Sequence, residues 1–255
     1  MRKNIIITGC NGLIGKSLCE NLISKNFNIY GLDINQPVIS NDNFSFSKCD
    51  LSSYDETKEA INNIFDSCKE VASLIHLAGI DYKVDKLMDK KSDKEFLISE
   101  PHIALGSINK NISMVYNVIY STLPKFIKQK KTRIVLVGSI YGSYSPNPNL
   151  YTDKNNEFFY QKPIEYSISK STFPIIAKYL CAHYAKDGIK VNNLEPHAII
   201  ENPKDNFIKN FKKLSPMKRT CNVSEIVEAI IFLSSDRCDY LNGTTIRVDG
   251  GWNSI

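Results

Sequence analysis

The stretch Asn4-Ile5-Ile6-Ile7-Thr8-Gly9-Cys10-Asn11-Gly12-Leu13-Ile14-Gly15 decides the architecture. Three successive isoleucines suit a strand buried on both faces, as in a parallel sheet. The glycines that follow permit a tight turn and close approach of backbone to a ligand. Leu13–Lys25 then reads as a helix, with Leu13, Ser17, Cys19, Leu22 and Ile23 broadly on helical spacing. A helix N-terminus behind a glycine turn offers free N–H groups to a pyrophosphate. Gly9, Asn11, Gly12, Leu13, Ile14 and Gly15 are therefore candidate dinucleotide contacts; the alternative is a plain strand-to-helix turn.

The same alternation continues outward. Strands are expected at Asn28–Leu32, Phe44–Ser47, Ser73–Leu77, Arg133–Val137, Ile189–Leu194 and Thr244–Val248. Helices are expected at 55–68, where Ala60, Ile61, Ile64 and Phe65 form a stripe, and at 109–129, 165–186 and 224–235. Strands alternating with helices imply right-handed crossovers, hence an α/β fold with a doubly wound parallel sheet of about seven strands flanked by helices. The whole chain, 1–255, is read as a single domain with irregular insertions near 81–108 and 142–163. Long irregular segments in compact domains are usually lids or binding loops.

Composition excludes several classes. The 255 residues carry 32 basic and 27 acidic side chains, a net +5 that falls short of a nucleic-acid binder. No apolar run approaches the ~18 residues of a membrane span. Seven cysteines without C-x-x-C spacing suggest reduced thiols in a cytoplasmic protein. Four histidines without an H-x-x-x-H pair give no metal site.

Asp33 ends the second strand, eighteen residues beyond Gly15. A carboxylate there accepts hydrogen bonds from an adenosine ribose and repels a 2′-phosphate. Neither Cys10 nor Asn11 is basic, so NAD is favoured over NADP. Asp50, after the third strand, is placed to reach the adenine amino group. Tyr166 and Lys170 fall at i and i+4 on one helix face. A nearby ammonium favours the phenolate, and a phenol so tuned can exchange a proton with an alcohol oxygen. Ser139, at the end of the fifth strand, would hold the same oxygen.

With these residues the chain resembles the short-chain dehydrogenase/reductase superfamily over nearly its whole length. The matching pieces are Thr8–Gly15, Asp50, His76-Leu77-Ala78-Gly79, Asn111, Ser139, Tyr166 with Lys170, Val191–Pro196, and Gly243–Trp252. The resemblance implies a Rossmann fold and hydride transfer at a nicotinamide. It implies Tyr166 as acid/base, with Lys170 lowering its pKa and holding the nicotinamide ribose. Ser139 would orient the substrate oxygen, and Asn111 would support a proton-relay water. Leu51, Leu77, Ala78, Gly79, Pro196 and Ile199 join the implied cofactor contacts. The implied assembly is a homodimer or homotetramer through the two long helices.

The pattern also departs from the family. Length and the Val248–Trp252 ending look like the compact branch, whereas the glycine spacing, His76-Leu77-Ala78 and the 27-residue step from Ser139 to Tyr166 look like the extended one. The Asn147–Pro163 insertion is expected to form a lid whose Tyr151, Phe158, Phe159 and Tyr160 suit stacking on a sugar. His197 stands where the compact branch usually has glycine, as a substrate contact or a tolerated turn residue. A threonine expected near Ile200–Glu201 is missing. Within the compact branch the chain resembles oxidoreductases of bacterial surface-sugar clusters, including flagellin-modification proteins associated with legionaminic-type sugars. This resemblance rests on the long insertion and Pro163-Ile164-Glu165-Tyr166. It implies a polar sugar or sugar-phosphate substrate. Lysines 83, 86, 90 and 91 would be its phosphate contacts, or a solvated cluster. The alternatives are an epimerase or dehydratase with recycled NAD, and a catalytically silent nucleotide-binding regulator.

Overall fold

The computed structural model describes residues 3–80, 98–155, 162–199 and 205–254. Seven strands form one sheet: β1 (Asn4–Thr8), β2 (Asn28–Asp33), β3 (Phe44–Lys48), β4 (Ser73–His76), β5 (Thr132–Val137), β6 (Ile189–Pro196) and β7 (Thr245–Val248). Their spatial order is 3-2-1-4-5-6-7, and every pairing is parallel. The order reverses between β1 and β4. The crevice at the carboxyl ends of these two strands is where such a sheet takes its ligand.

Six helices are described: α1 (Leu13–Ser24), α2 (Tyr54–Ser67), α3 (Pro101–Gln129), α4 (Ile164–Tyr184), α5 (Asp205–Leu214) and α6 (Val223–Ser234). Alternate side chains of each strand feed two apolar layers. Ile6, Leu74, Ile134 and Leu136 pack under α2, α3 and α4 with Ile61, Val115, Val118 and Phe173. Ile5, Ile7, Ile75 and Val135 pack under α1 and α6 with Leu18, Leu22, Ile226 and Ile230. Helix starts are locally encoded. Ser53 caps α2 by accepting from the Glu56 N–H, and Glu225 reaches back to the Asn222 N–H at the start of α6.

Strand boundaries match expectation within two residues, but two helical features differ. Helix α3 begins at Pro101, so residues 101–108 are helical rather than part of the irregular segment. Proline at N1 loses no hydrogen bond there and is preset in φ. Helix α5 is also new. Its Phe207, Phe211 and Leu214 lie at helical spacing, and with Leu150, Tyr151 and Trp252 they build a third, small apolar cluster. Lys83, Lys86, Lys90, Lys91, Phe158, Phe159, Tyr160, Ile200 and Glu201 lie outside the described residues. No helix among the described residues is long and apolar enough to cross a membrane. All seven cysteines are free thiols.

Candidate active site

The glycine turn is closed by backbone against backbone. Gly9 adopts φ +68°, and a Cβ there would meet Ala78 N at 2.8 Å. A Cβ on Gly15 would sit 2.2 Å from the Gly9 carbonyl oxygen. These glycines let α1 start directly over the turn and let the end of β4, at Leu77 and Ala78, press against it. Gly12 is the N-cap of α1, without a side-chain cap, and the first turn holds no acidic residue. The N–H groups of Leu13 and Ile14 thus lack side-chain acceptors and sit at the positive end of the helix dipole. That donor set fits a pyrophosphate.

Asp33 lies across this turn. Its Oδ2 accepts from Asn11 N–H at 3.0 Å and its Oδ1 from Asn35 N–H at 3.0 Å. Each oxygen keeps a lone pair, and its place at the end of β2 suits a ribose diol. Asp50 is engaged differently. Its Oδ1 accepts from both Ser52 N–H and Ser52 hydroxyl, which hold its carboxyl below the ordinary value, while Lys110 Nζ stands 4.0 Å from Oδ2. Leu51 is buried beside it.

A second group of residues meets at the carboxyl ends of β4 and β5. Lys170 on α4 is 7% exposed, and its Nζ donates to the Val137 carbonyl at 3.3 Å. A Cβ on Gly79 would lie 3.3 Å from Lys170 Nζ and 3.5 Å from Asn111 Oδ1, so both atoms flank the same point. Asn111 is buried within α3. Its amide group donates to the Ile80 and Ser107 carbonyls, and its Oδ1 accepts from Ile80 N–H at 2.8 Å. Tyr166 lies one turn before Lys170 on α4, half-buried, with Lys162 Nζ 3.9 Å from its ring centroid.

Ser139 is brought against this group by a short 3-10 turn, Ile140–Gly142. Its hydroxyl accepts from Tyr141 N–H at 3.2 Å. Gly142 lets the turn touch α4, because a Cβ there would lie 2.6 Å from the Lys170 carbonyl oxygen. The structure thus gathers Gly79, Asn111, Ser139, Tyr166 and Lys170 at one end of the sheet. The glycine turn and Asp33 stand next to them across β1 and β4. Pro196 ends β6 opposite Val248, and Ile199 packs on the α1/α6 layer.

Two aromatic side chains of the expected site are buried. His197 follows the end of β6 and is packed rather than exposed. It is 4% exposed, and its ring is wedged among Tyr141, Phe211 and Trp252 at centroid distances of 5.5, 5.2 and 4.6 Å. Burial holds its pKa down at about 4. Tyr151 is packed on one side and lines the neighbouring cavity on the other. It is buried against Phe207, with its hydroxyl 2.8 Å from that of Tyr141. The described part of the insertion, residues 142–155 and 162–163, Tyr151 included, walls a cavity of about 540 Å³. Tyr141, Ser143, Tyr144, Pro146, Lys162 and Ile168 are among its lining residues.

Several groups were not foreseen from sequence. Glu195, fully buried in β6, accepts from Ser143 Oγ at 2.7 Å and from Arg247 Nε at 3.1 Å. This ties the turn after Ser139 to β6 and β7. Glu165, also buried, accepts from Ser99 Oγ at 2.6 Å and so joins the approach to α3 to the start of α4. Thr8 and His76 form a third pair, with Thr8 Oγ1 2.9 Å from His76 Nδ1. A glutamate interrupting an apolar strand was the available signal for Glu195. Thr8, His76 and Glu165 fall inside the matching motifs, but nothing in their spacing reports these two pairings.

Comparison with known proteins places this geometry. A family model described as enoyl-(acyl carrier protein) reductase matches residues 14–253. The chain is 30% identical to the 3-oxoacyl-[acyl-carrier-protein] reductase FabG of Buchnera aphidicola subsp. Acyrthosiphon pisum, over 100% of this chain and 98% of that one. It is 25% identical to the post-translational flagellin modification protein A of Campylobacter coli, over 98% of both chains. The crystal structure of a short-chain dehydrogenase from Leptospira borgpetersenii with bound NAD+ superposes with a TM-score of 0.85 at 26% identity, over 99% of this chain and 93% of that one.

Proposed function

The chain belongs to the short-chain dehydrogenase/reductase superfamily as an NAD(P)-dependent oxidoreductase, and from that premise we propose that it interconverts a secondary alcohol and a ketone on a polar substrate, a sugar or sugar phosphate, with NAD as cofactor. The observation that carries the reading is the convergence of buried Lys170 and buried Asn111 on Gly79 beside the Ser139 turn, with Tyr166 one helical turn away.

The residues present fit a dinucleotide. Leu13 and Ile14 N–H groups would take the pyrophosphate. Asp33 would take the adenosine ribose, and its charge disfavours a 2′-phosphate. The free lone pair of Asp50 Oδ2 would meet the adenine amino group, beside Leu51. Leu77, Ala78 and Gly79 would line the bound dinucleotide where β4 ends, and Pro196 and Ile199 would face the nicotinamide carboxamide. When bound, NAD supplies the hydride acceptor or donor.

The chain's own residues handle the proton and the placement. Tyr166 takes the proton from the substrate hydroxyl in oxidation and returns it in reduction. The Lys170 ammonium favours the tyrosinate and holds the nicotinamide ribose. Lys162, over the Tyr166 ring, adds a second positive charge. Ser139 Oγ orients the substrate oxygen. Both amide hydrogens of Asn111 are used within the protein, so its support of a relay water falls to the remaining oxygen lone pairs.

A sugar is favoured by the resemblance to oxidoreductases of surface-sugar clusters, and a relative named for flagellin modification accords with that resemblance. The FabG relative and the apolar share of the cavity lining, with Ile98, Pro146, Ile164 and Ile168, favour a second reading, a 3-oxoacyl thioester. The test is formation of reduced nicotinamide from NAD+ or NADP+ across sugar phosphates, nucleotide sugars and 3-hydroxyacyl thioesters. Stoichiometric NADH with a sugar supports the reading. Turnover confined to the thioesters or to NADP+ overturns it. Sugar conversion without net NADH moves it to an epimerase or dehydratase.

A homodimer or homotetramer in the cytoplasm completes the proposal. It is supported by exposed apolar residues on the two long helices, Tyr116 and Tyr120 on α3 and Ile168, Ile175 and Tyr179 on α4. Light scattering of the purified protein reads the assembly directly; a monomer at micromolar concentration would refute it.

A further inference from the structure

Residues 139–143 are fastened to β6 at both ends. At the entry, Gly138 N–H donates to the Leu194 carbonyl at 2.8 Å. At the exit, Ser143 Oγ donates to Glu195 Oε1 at 2.7 Å. Between the two, the turn is bonded to itself. Gly142 N–H donates to the Ser139 carbonyl at 2.8 Å, and Ser143 N–H to that of Ile140 at 3.0 Å. A unit closed in this way shifts as one piece, so whatever holds Ser143 also holds Ser139.

Glu195 occupies a position where an apolar side chain would be the ordinary choice. Ile189 and Val191 of β6 pack into the α3/α4 layer. Strand alternation puts Asn193 and Glu195 on the same face. A carboxylate fully buried there carries a desolvation cost that only well-placed donors offset. Among the described residues Glu195 has three. Besides Ser143, Asn193 Nδ2 donates to Oε1 at 3.3 Å, and Arg247 Nε donates to Oε2 at 3.1 Å from the paired position on β7. Asn193 and Arg247 belong to the sheet and fix the carboxylate in place. Ser143 belongs to the turn. Its bond is the shortest of the three, at a length expected of a hydroxyl donating to a carboxylate.

We propose that Glu195 is a positioning residue for Ser139: held by Arg247 and Asn193, it grips Ser143 and so sets the Ser139 hydroxyl at its distance from Tyr166. The idea rests on the reading that Ser139 orients the substrate oxygen. A buried ion pair that serves the sheet alone would be complete without Ser143.

The test compares full-length wild type, Ser143→Ala, Ser143→Thr, Glu195→Met and the double variant Ser143→Ala/Glu195→Met, in kinetics on the best substrate, NAD titration and thermal melts. Ser143 is exposed, so its truncation leaves no cavity. Ser143→Ala should lower kcat about tenfold, less than the ~100-fold of a full 1 Å misplacement, with substrate KM and NAD affinity within about threefold. Ser143→Thr keeps the hydroxyl and should restore kcat. Glu195→Met removes the acceptor at similar volume, and the partly exposed Arg247 can turn to water. It should also lose about tenfold, and the double variant about tenfold rather than about 100-fold, because both changes cut one link. Undiminished kcat in Ser143→Ala, losses that multiply in the double variant, or an equal loss of NAD affinity overturns the proposal. If Glu195→Met does not fold, Ser143→Ala against Ser143→Thr still decides, because a role confined to the sheet predicts wild-type kcat in both. Ser139→Ala with undiminished kcat would instead refute the reading of Ser139 itself.

Discussion

Replacing Gly142 by alanine separates catalysis from cofactor binding. The added Cβ would lie 2.6 Å from the Lys170 carbonyl oxygen, 2.8 Å from its carbon and 3.1 Å from Ser171 N. All three are helix backbone, so no side chain can swing aside. Ordinary contact begins at 3.4 Å, and the Ile140–Gly142 turn must therefore retreat from α4 by about 0.8 Å. Ser139 starts that turn, so its hydroxyl moves relative to Tyr166. A misplacement of ~1 Å at a reacting centre costs on the order of 100-fold in rate. Overpacking of this kind costs about 1–3 kcal/mol of stability, or roughly 2–12 °C in Tm for a chain of this size. The three atoms nearest the added methyl all belong to α4, none to the glycine turn. The expected result is thus a 30- to 100-fold lower kcat (about 2–3 kcal/mol in barrier) with NAD affinity unchanged. The control is Gly106→Ala, at an exposed position on α3 with nothing within 4 Å of the new methyl. It should leave kcat alone and stabilise by about 0.5–1 kcal/mol. Steady-state kinetics, calorimetric NAD titration and thermal melts on the two variants decide the matter. A Gly142→Ala enzyme with wild-type kcat would show that the Ser139 turn does not set the reacting geometry.

Two other perturbations probe different parts. Asp33→Asn should weaken NAD by about tenfold, through the lost charge-assisted bonds to the ribose, and should narrow the preference over NADP; equal losses for both cofactors in calorimetric titration would remove Asp33 from the ribose. Acidification should destabilise the fold through its two buried histidines, whose pKa values fall from 6.5 to about 3 for His76 and about 4 for His197. Below pH 6.5 the unfolded chain binds protons that the folded chain refuses, so this stability is present above 6.5 and is lost as pH falls towards 4 and below. Between pH 7 and pH 5 each histidine should remove about 2 kcal/mol. Urea unfolding at the two pH values measures the loss, and His197→Phe should roughly halve it; the same loss in the variant would contradict the burial.

Much of this site was legible because its signals are local. Ile5–Ile7 followed by the glycine turn encodes β1, the turn and α1 within a dozen residues. Tyr166 and Lys170 share a face by helical period alone, and Asp33 is placed by strand length. Other parts depend on contacts between distant segments. Helix α5 carries Phe207, Phe211 and Leu214 at helical spacing in a lysine-rich stretch, and only the aromatic surface formed by Tyr151, His197 and Trp252 shows what that face packs on. From its neighbours His197 reads as a substrate contact or a turn residue, and its ring packing is evident only once Tyr141 and Trp252 are beside it. The Glu195–Arg247–Ser143 link joins residues up to 104 positions apart, so no local pattern reports it. The start of α3 at Pro101 is not expected from sequence, because the mixed-charge, lysine-rich stretch before it reads as an irregular insertion.

The most direct test of the central claim is a comparison of wild type with Tyr166→Phe, in NAD affinity and in turnover of the best substrate. The phenol is assigned to the proton and the backbone turn to the cofactor. The account therefore predicts NAD binding within about threefold of wild type and turnover lowered by at least about 1,000-fold. Turnover that survives the substitution would contradict it, because the proton would then pass through some other group.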